Sequence, residues 1–205
     1  MATNWPNSVQ TFTNPSAGDS LNSPSHSAQH ATVNDTVEAL QEYAGLVLVK
    51  TQAIGSGVSS VTVTNAFSAT FDNYRVVVEV LDASTALGLR FRLGSTTTNY
   101  YSSKSGLRYN GGTFSGVIDN TATYMDLGSC GSHGGGSMTF DVVRPYITDR
   151  TLVNGTGSYA QASTGGYVLY AGFVANDLSY TAFTFLTSAG TISNGNIRVY
   201  GYNNG

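Results

Sequence analysis

The sequence predicts a mainly β protein, in which an extended arm and one α-helix precede an antiparallel, jelly-roll-like β-sandwich. Three observations support this fold class. Charged residues make up only 10% of the chain, against roughly 25% in an ordinary soluble domain. Gly, Ser, Thr and Asn account for 89 of the 205 residues, and Tyr and Phe for another 22. About ten short apolar or alternating runs, separated by turn residues, follow the predicted helix.

Residues 1–24 are predicted to form an extended anchoring arm. Three of the four prolines, Pro6, Pro15 and Pro24, lie in this segment, and each favours an extended conformation of the residue before it. The apolar residues are too far apart to form a core of their own. We therefore expect them to dock on a neighbouring subunit, with a flexible terminus as the alternative. The predicted anchor residues are Trp5, Val9, Phe12 and Leu21.

Residues 25–45 are predicted to form the one clear helix. Ser23 and Pro24 offer a cap and a proline in the first turn, and Gly45 ends the helix. Along it, histidine and apolar positions recur at alternating spacings of four and three residues. This heptad pattern is typical of a helix that packs along a seam with its own copies. The predicted seam residues are His26, His30, Val33, Val37, Leu40 and Ala44.

The heptad pattern has an alternative interpretation, an amphipathic helix packed on its own domain. At under three heptads, the seam is too short to hold an oligomer alone. His26 and His30 share one helix face, which is the arrangement of a metal pair. Because no acidic residue or cysteine stands in register with them, the sequence predicts a polar layer in the seam and no metal site.

Residues 46–205 are predicted to form the β-sandwich domain. The clearest strand is Leu87–Leu93, in which leucines and Phe91 alternate with Arg90 and Arg92. No internal repeat is visible, which argues against a solenoid or a propeller. The predicted strands are 46–50, 58–64, 74–81, 87–93, 122–127, 137–143, 151–160, 167–174, 180–187 and 196–202.

The same composition argues against several function classes. Nine basic residues without a patch argue against nucleic-acid binding, and the lack of a long apolar run argues against membrane insertion. Cys130 and His133 lie in a glycine-rich stretch that is predicted to be a loop, and no spacing of carboxylates indicates a glycosidase pair. The sequence therefore predicts no catalytic residue, no metal and no cofactor. A small polysaccharide hydrolase is the enzymatic alternative.

The tyrosines suggest a binding surface. Exposed tyrosines among Asn, Ser and Gly make adaptable recognition surfaces, and such surfaces suit the rings and hydroxyls of a host-surface glycan. The alternative is that these tyrosines serve in ordinary strands or at subunit contacts. The candidates predicted to lie near loops are Tyr100, Tyr101, Tyr109, Tyr159 and Tyr167.

Two stretches carry a family resemblance. Residues 12–41, FTNPSAGDSLNSPSHSAQHATVNDTVEALQ, resemble a segment that recurs in tailed-phage structural proteins ahead of a variable β domain. The β region is similar to a phage domain with a Phe-x-x-Tyr-Arg start and a Tyr-Gly end, here Phe71–Arg75 and Ile197–Tyr202. The resemblance implies a homotrimeric virion protein on the outer surface of the particle. Its N-terminal part would attach to tail, portal or capsid subunits.

The resemblance implies no catalytic residues and leaves more than one structural role open. A tail fibre or head fibre for host attachment and receptor binding fits the arm, the helix and the tyrosine-rich loops. A capsid decoration or cement protein that stabilises the shell fits the short chain of 205 residues.

Overall fold

The computed structural model describes residues 26–42, 45–109, 112, 114–132, 134–161 and 164–203. The chain divides into two compact units, of which the second is Val47–Tyr202. The first contains helix α1, His26–Glu42. The strands are β1 Leu46–Ala53, β2 Ser60–Val63, β3 Asn73–Ala83, β4 Leu87–Leu93, β5 Tyr100–Arg108, β6 Ser115–Ala122, β7 Met125–Cys130, β8 Gly136–Val143, β9 Thr151–Gln161, β10 Thr164–Val174, β11 Phe183–Thr187 and β12 Ile192–Tyr202.

The strands form two antiparallel sheets. The larger has the order β1-β12-β3-β8-β9-β10-β5-β6, and the smaller has the order β2-β11-β4-β7. Within them, β1-β12-β3-β8 and β2-β11-β4-β7 follow the strand order of a jelly roll. Strands β9, β10, β5 and β6 extend the larger sheet past β8. The predicted mainly β, antiparallel sandwich is therefore confirmed, with an extension on one side.

One hydrophobic core joins the two sheets. Along β3 and β4, alternate residues are buried and the intervening ones are partly or fully exposed, as expected for strands with one buried face. The Phe91 ring lies 5.3 Å from that of Phe140 in the larger sheet and 5.3 Å from that of Phe183 in its own sheet. These aromatic contacts place the inner faces of the sheets against each other.

The predicted strand pattern is wrong around residues 100–127. Strand β5 occupies Tyr100–Arg108 and β6 occupies Ser115–Ala122, where the sequence suggested loops. The single strand predicted over 122–127 is instead divided by a bend at residues 123–124. Strand β5 turns Ser102, Lys104 and Gly106 toward the inner face, so it lacks the apolar alternation from which a strand is predicted.

Three apolar residues of the predicted helix stripe are about half exposed on α1. Val33, Val37 and Leu40 are 47%, 47% and 49% exposed, and His30 is exposed one turn earlier. No helix in the described ranges is long and apolar enough to cross a membrane. The stripe fits the predicted seam, which stays a prediction. The other predicted seam and anchor positions, namely the His26 side chain, Ala44, Trp5, Val9, Phe12 and Leu21, lie outside the described residues.

Candidate functional site

Two adjoining clefts open where β7 ends above the extended part of the larger sheet. Their volumes are about 220 Å³ and about 240 Å³, and both are lined by Arg108, Ser129 and Tyr159. We name the two together the β7 groove. Its main polar lining residues are Lys104, Arg108, Ser129, Tyr159, Gln161 and Thr164.

The register of three strands places an aromatic ring, a glycine and a guanidinium in one row. Gly166 of β10 pairs with Tyr159 of β9 on one side and with Arg108 of β5 on the other. Tyr159 and Arg108 therefore stand two strand spacings apart, roughly 10 Å between Cα atoms. A Cβ at Gly166 would lie 3.1 Å from the Tyr159 ring and 2.6 Å from the Leu107 carbonyl oxygen. Glycine thus lets the ring cover the strand between the two side chains.

The residues that line the groove include two cations and no carboxylate, although the protein is acidic. The chain carries a net charge of −3, yet residues 100–118, 127–140 and 151–176, which supply most of the lining, contain no Asp or Glu. Lys104 forms an ion pair with Asp126 of β7, whose other carboxylate oxygen accepts the Gly128 N–H at 3.0 Å. Arg108 has no carboxylate partner within the described residues. Its guanidinium is therefore available to a ligand.

Cys130, which lines the same groove, does not have the environment of a nucleophile. It is 1% exposed at the end of β7. Burial, together with the nearby Asp82, raises the pKa of its thiol to about 11, so the thiolate is disfavoured at neutral pH. His133, three residues later in the stretch predicted to be a loop, lies outside the described residues. Across the described ranges, no group of three His, Cys, Asp or Glu side chains is placed to hold a metal ion.

The predicted tyrosines do not form one surface. Tyr159 lines both clefts of the groove. Tyr167 borders one of them, but strand alternation and pairing place its side chain on the opposite face of the larger sheet. Tyr109, 71% exposed, lies beside Gly165 at the same end of the sheet. Tyr101 lies at the far end of β5 and stacks on Phe173 with ring centroids 5.0 Å apart.

The prediction that Tyr100 belongs to an exposed recognition surface is wrong. Its side chain is fully buried because it begins β5 on the inner face, opposite Val174. Its hydroxyl accepts the Leu93 N–H at 2.8 Å and donates to the Thr96 carbonyl at 3.1 Å. Burial raises the pKa of this hydroxyl. Tyr100 therefore secures the end of β4 and the turn after it.

Replacing Tyr100 by phenylalanine is expected to lower the unfolding free energy by about 1–3 kcal/mol, because the buried Leu93 N–H loses its partner. Urea denaturation measures this difference. Tyr101→Phe is the matched control, since its half-buried ring lies on the other face; we expect a change within about 0.5 kcal/mol. Equal effects of the two substitutions would refute the assigned role of the Tyr100 hydroxyl.

A separate ion pair lies on the outer face of the larger sheet, the face turned away from the smaller one. Arg75 Nε and Nη2 donate to the two Asp141 oxygens at 2.9 and 3.0 Å. The Tyr202 hydroxyl donates to the same carboxylate at 2.7 Å. Desolvation acts to raise the pKa of Asp141, but the bonds from Arg75 and Tyr202 outweigh it, so the pKa falls below its ordinary value of 3.8.

The lowered pKa of Asp141 predicts a pH-dependent contribution to stability. A carboxyl that binds its proton more weakly when folded stabilises the protein above its unfolded pKa, and this contribution is lost as the pH falls through the folded pKa. Asp141→Asn should therefore lower the unfolding free energy by about 1 kcal/mol at pH 7. The difference from the unaltered protein should shrink below about pH 4.

Denaturant titrations at several pH values measure this difference. The matched control is Asp149→Asn, because Asp149 forms a more exposed pair with Arg144, 48% and 41% exposed; a smaller change is expected. A difference for Asp141→Asn that stays constant from pH 7 to pH 2 would show that the carboxylate charge is not the cause.

The sequence alone does not identify four residues that line the groove, namely Lys104, Arg108, Gln161 and Thr164. The available signal was the lack of acidic residues from 100 to 118 and from 151 to 176, but only strand pairing shows that these segments are neighbours. No protein-family model matches this chain, and no curated protein matches it. The function of the groove therefore has to be inferred from the residues that line it.

Proposed function

We propose that the chain is a non-enzymatic structural protein of a phage particle. In this proposal it forms a trimeric appendage, a tail fibre or head fibre on the outer surface of the virion. The N-terminal arm and helix attach it to other virion proteins, and the β-sandwich is displayed outward for adhesion to the host surface. The resemblance of residues 12–41 to phage structural proteins supplies the starting point.

The exposed stripe of helix α1 is the observation that supports the proposal most strongly. Val33, Val37 and Leu40 stand at heptad spacing and each is about half exposed, while the β domain buries its own core. Apolar surface at such spacing favours association with copies of the same helix. A three-fold bundle would arrange three β domains around one axis. Several weak binding sites on one particle would then act together through avidity.

The β7 groove supports the adhesive part of the proposal. It is a concave site with an aromatic ring and a cation, and a few converging polar or charged groups of this kind fix the orientation of a bound ligand. Jelly rolls occur in viral capsid proteins and in lectins, and this is support by analogy of fold alone.

Cell binding tests adhesion. The purified full chain should adhere to host cells and reduce the adsorption of particles that carry the same protein. If the chain neither adheres to the cells nor reduces particle adsorption, the adhesive function is refuted.

Capsid decoration is the second candidate, favoured by the outer face of the larger sheet. Leu152, Leu169 and Tyr167 are 40%, 48% and 39% exposed there, and β9 and β10, which carry them, contain no charged residue. Such a face suits contact with a shell. Particles that lack the protein should then rupture at a lower temperature than complete particles, and unchanged rupture would exclude this role.

A further inference from the structure

We infer that the β7 groove binds a carboxylate-bearing sugar, with the Arg108 guanidinium on the carboxylate and the Tyr159 ring against the sugar. The inference deepens the proposed adhesive function, on which it rests for the source of the sugar, an acidic glycan of the host surface.

Charge selects an anionic ligand. The lining of the groove holds two cations, Lys104 and Arg108, and no carboxylate. Asp126 pairs with Lys104 and Asp82 lies near Cys130, whereas Arg108 has no carboxylate partner among the described residues. By contrast, Arg75 and Arg144 are already held by Asp141 and Asp149. An exposed guanidinium presents a planar fork of donors that fits a carboxylate in a bidentate manner. A neutral glycan would leave this donor set unused.

Shape and polarity select a sugar among the anions. The row of Tyr159, Gly166 and Arg108 offers an aromatic ring beside the cation, and an aromatic side chain supplies apolar contact area at little entropic cost. Ser129, Gln161 and Thr164 line the adjoining cleft, and their side chains make no hydrogen bond within the described residues. They can therefore serve the hydroxyl groups of a ligand whose carboxylate lies on Arg108.

Titration calorimetry of the full chain tests the inference. The probes are trigalacturonate, a glucuronate disaccharide and sialyllactose, each compared with its neutral methyl ester, and citrate as a carboxylate without a sugar ring. We expect at least one acidic sugar to bind, and its ester and citrate to bind about tenfold more weakly or worse.

Arg108→Gln should weaken the binding of that sugar about tenfold or more, and Tyr159→Leu should weaken it as well. Arg198→Gln is the matched control, because Arg198 lies on the outer face of β12 and its loss changes the net charge equally; binding should be unchanged. Arg108 is exposed, so Arg108→Gln should keep the melting temperature of the unaltered protein.

Four results would overturn the inference: esters that bind as tightly as acids, citrate that binds as tightly as the sugar, equal binding by Arg108→Gln and Arg198→Gln, or no binding of any acidic sugar at about 10 mM. Failure of the proposed function is distinguishable. If the unaltered chain adheres to host cells but binds no acidic sugar, adhesion stands and the acidic-sugar site is refuted.

Discussion

Replacing Phe91 by alanine is expected to lower the unfolding free energy of the β domain by about 3–5 kcal/mol. The ring is fully buried and lies against both Phe140 and Phe183, so its loss leaves a cavity at the contact between the sheets. Since domains of this kind are stable by about 5–15 kcal/mol in total, this loss is a large fraction of the stability, and the melting temperature should fall by about 6–20 °C. Urea denaturation followed by circular dichroism measures the loss.

Leu169→Ala is the matched control for Phe91→Ala. Leu169 is 48% exposed on the outer face of the larger sheet, where removal of apolar atoms leaves no cavity, and we expect a change within about 0.5 kcal/mol. If Phe91→Ala costs no more than Leu169→Ala, the two sheets do not share the core described here.

Val37→Asp is expected to convert the proposed trimer into single chains. Three copies of the substitution would bring three carboxylates together in an apolar seam, and uncompensated buried charges are strongly destabilising. Sedimentation equilibrium should show a mass of three times 21.5 kDa for the unaltered chain and 21.5 kDa for the variant.

Ala31→Asp is the control for the seam. It introduces the same charge at an exposed helix position outside the predicted stripe, so the trimer should persist. If the Val37→Asp variant sediments with the mass of the unaltered chain, the copies associate through a surface other than the predicted helix stripe. Self-association is excluded if the unaltered chain already sediments at 21.5 kDa.

The jelly-roll part of the fold was predictable because its strands obey one rule. In β3 and β4 the inner positions are apolar without interruption, as at Val76, Val78, Leu89 and Phe91. This uniformity follows from burial between two sheets, which requires apolar side chains on every second residue.

Strand β5 could not be predicted because its inner face borders the groove. Next to the edge of β7, the inward positions need no uninterrupted apolar set, and Lys104 and Arg108 occupy them. The alternation of apolar residues therefore fails at the positions that form the candidate site. A break in local pattern is expected where a surface serves binding rather than stability.

The tyrosines show a second limit of prediction from the sequence. Tyr100 and Tyr101 are adjacent in the chain, yet one is fully buried and the other lies on the outer face. Because strand side chains alternate, the face of each depends on register, and register is set by pairing with β10. The composition indicates that tyrosines are abundant enough to form a binding surface. Only the strand pairing distinguishes a tyrosine of the core from Tyr159, which lines the groove.

Counting the protein in intact particles tests the central claim most directly. Quantitative mass spectrometry of purified particles, combined with antibody labelling in the electron microscope, gives both copy number and position. We predict copies in multiples of three on the outer surface, accessible to an antibody against the β domain. Particles without the protein, or with the protein only in their interior, would contradict the proposed role.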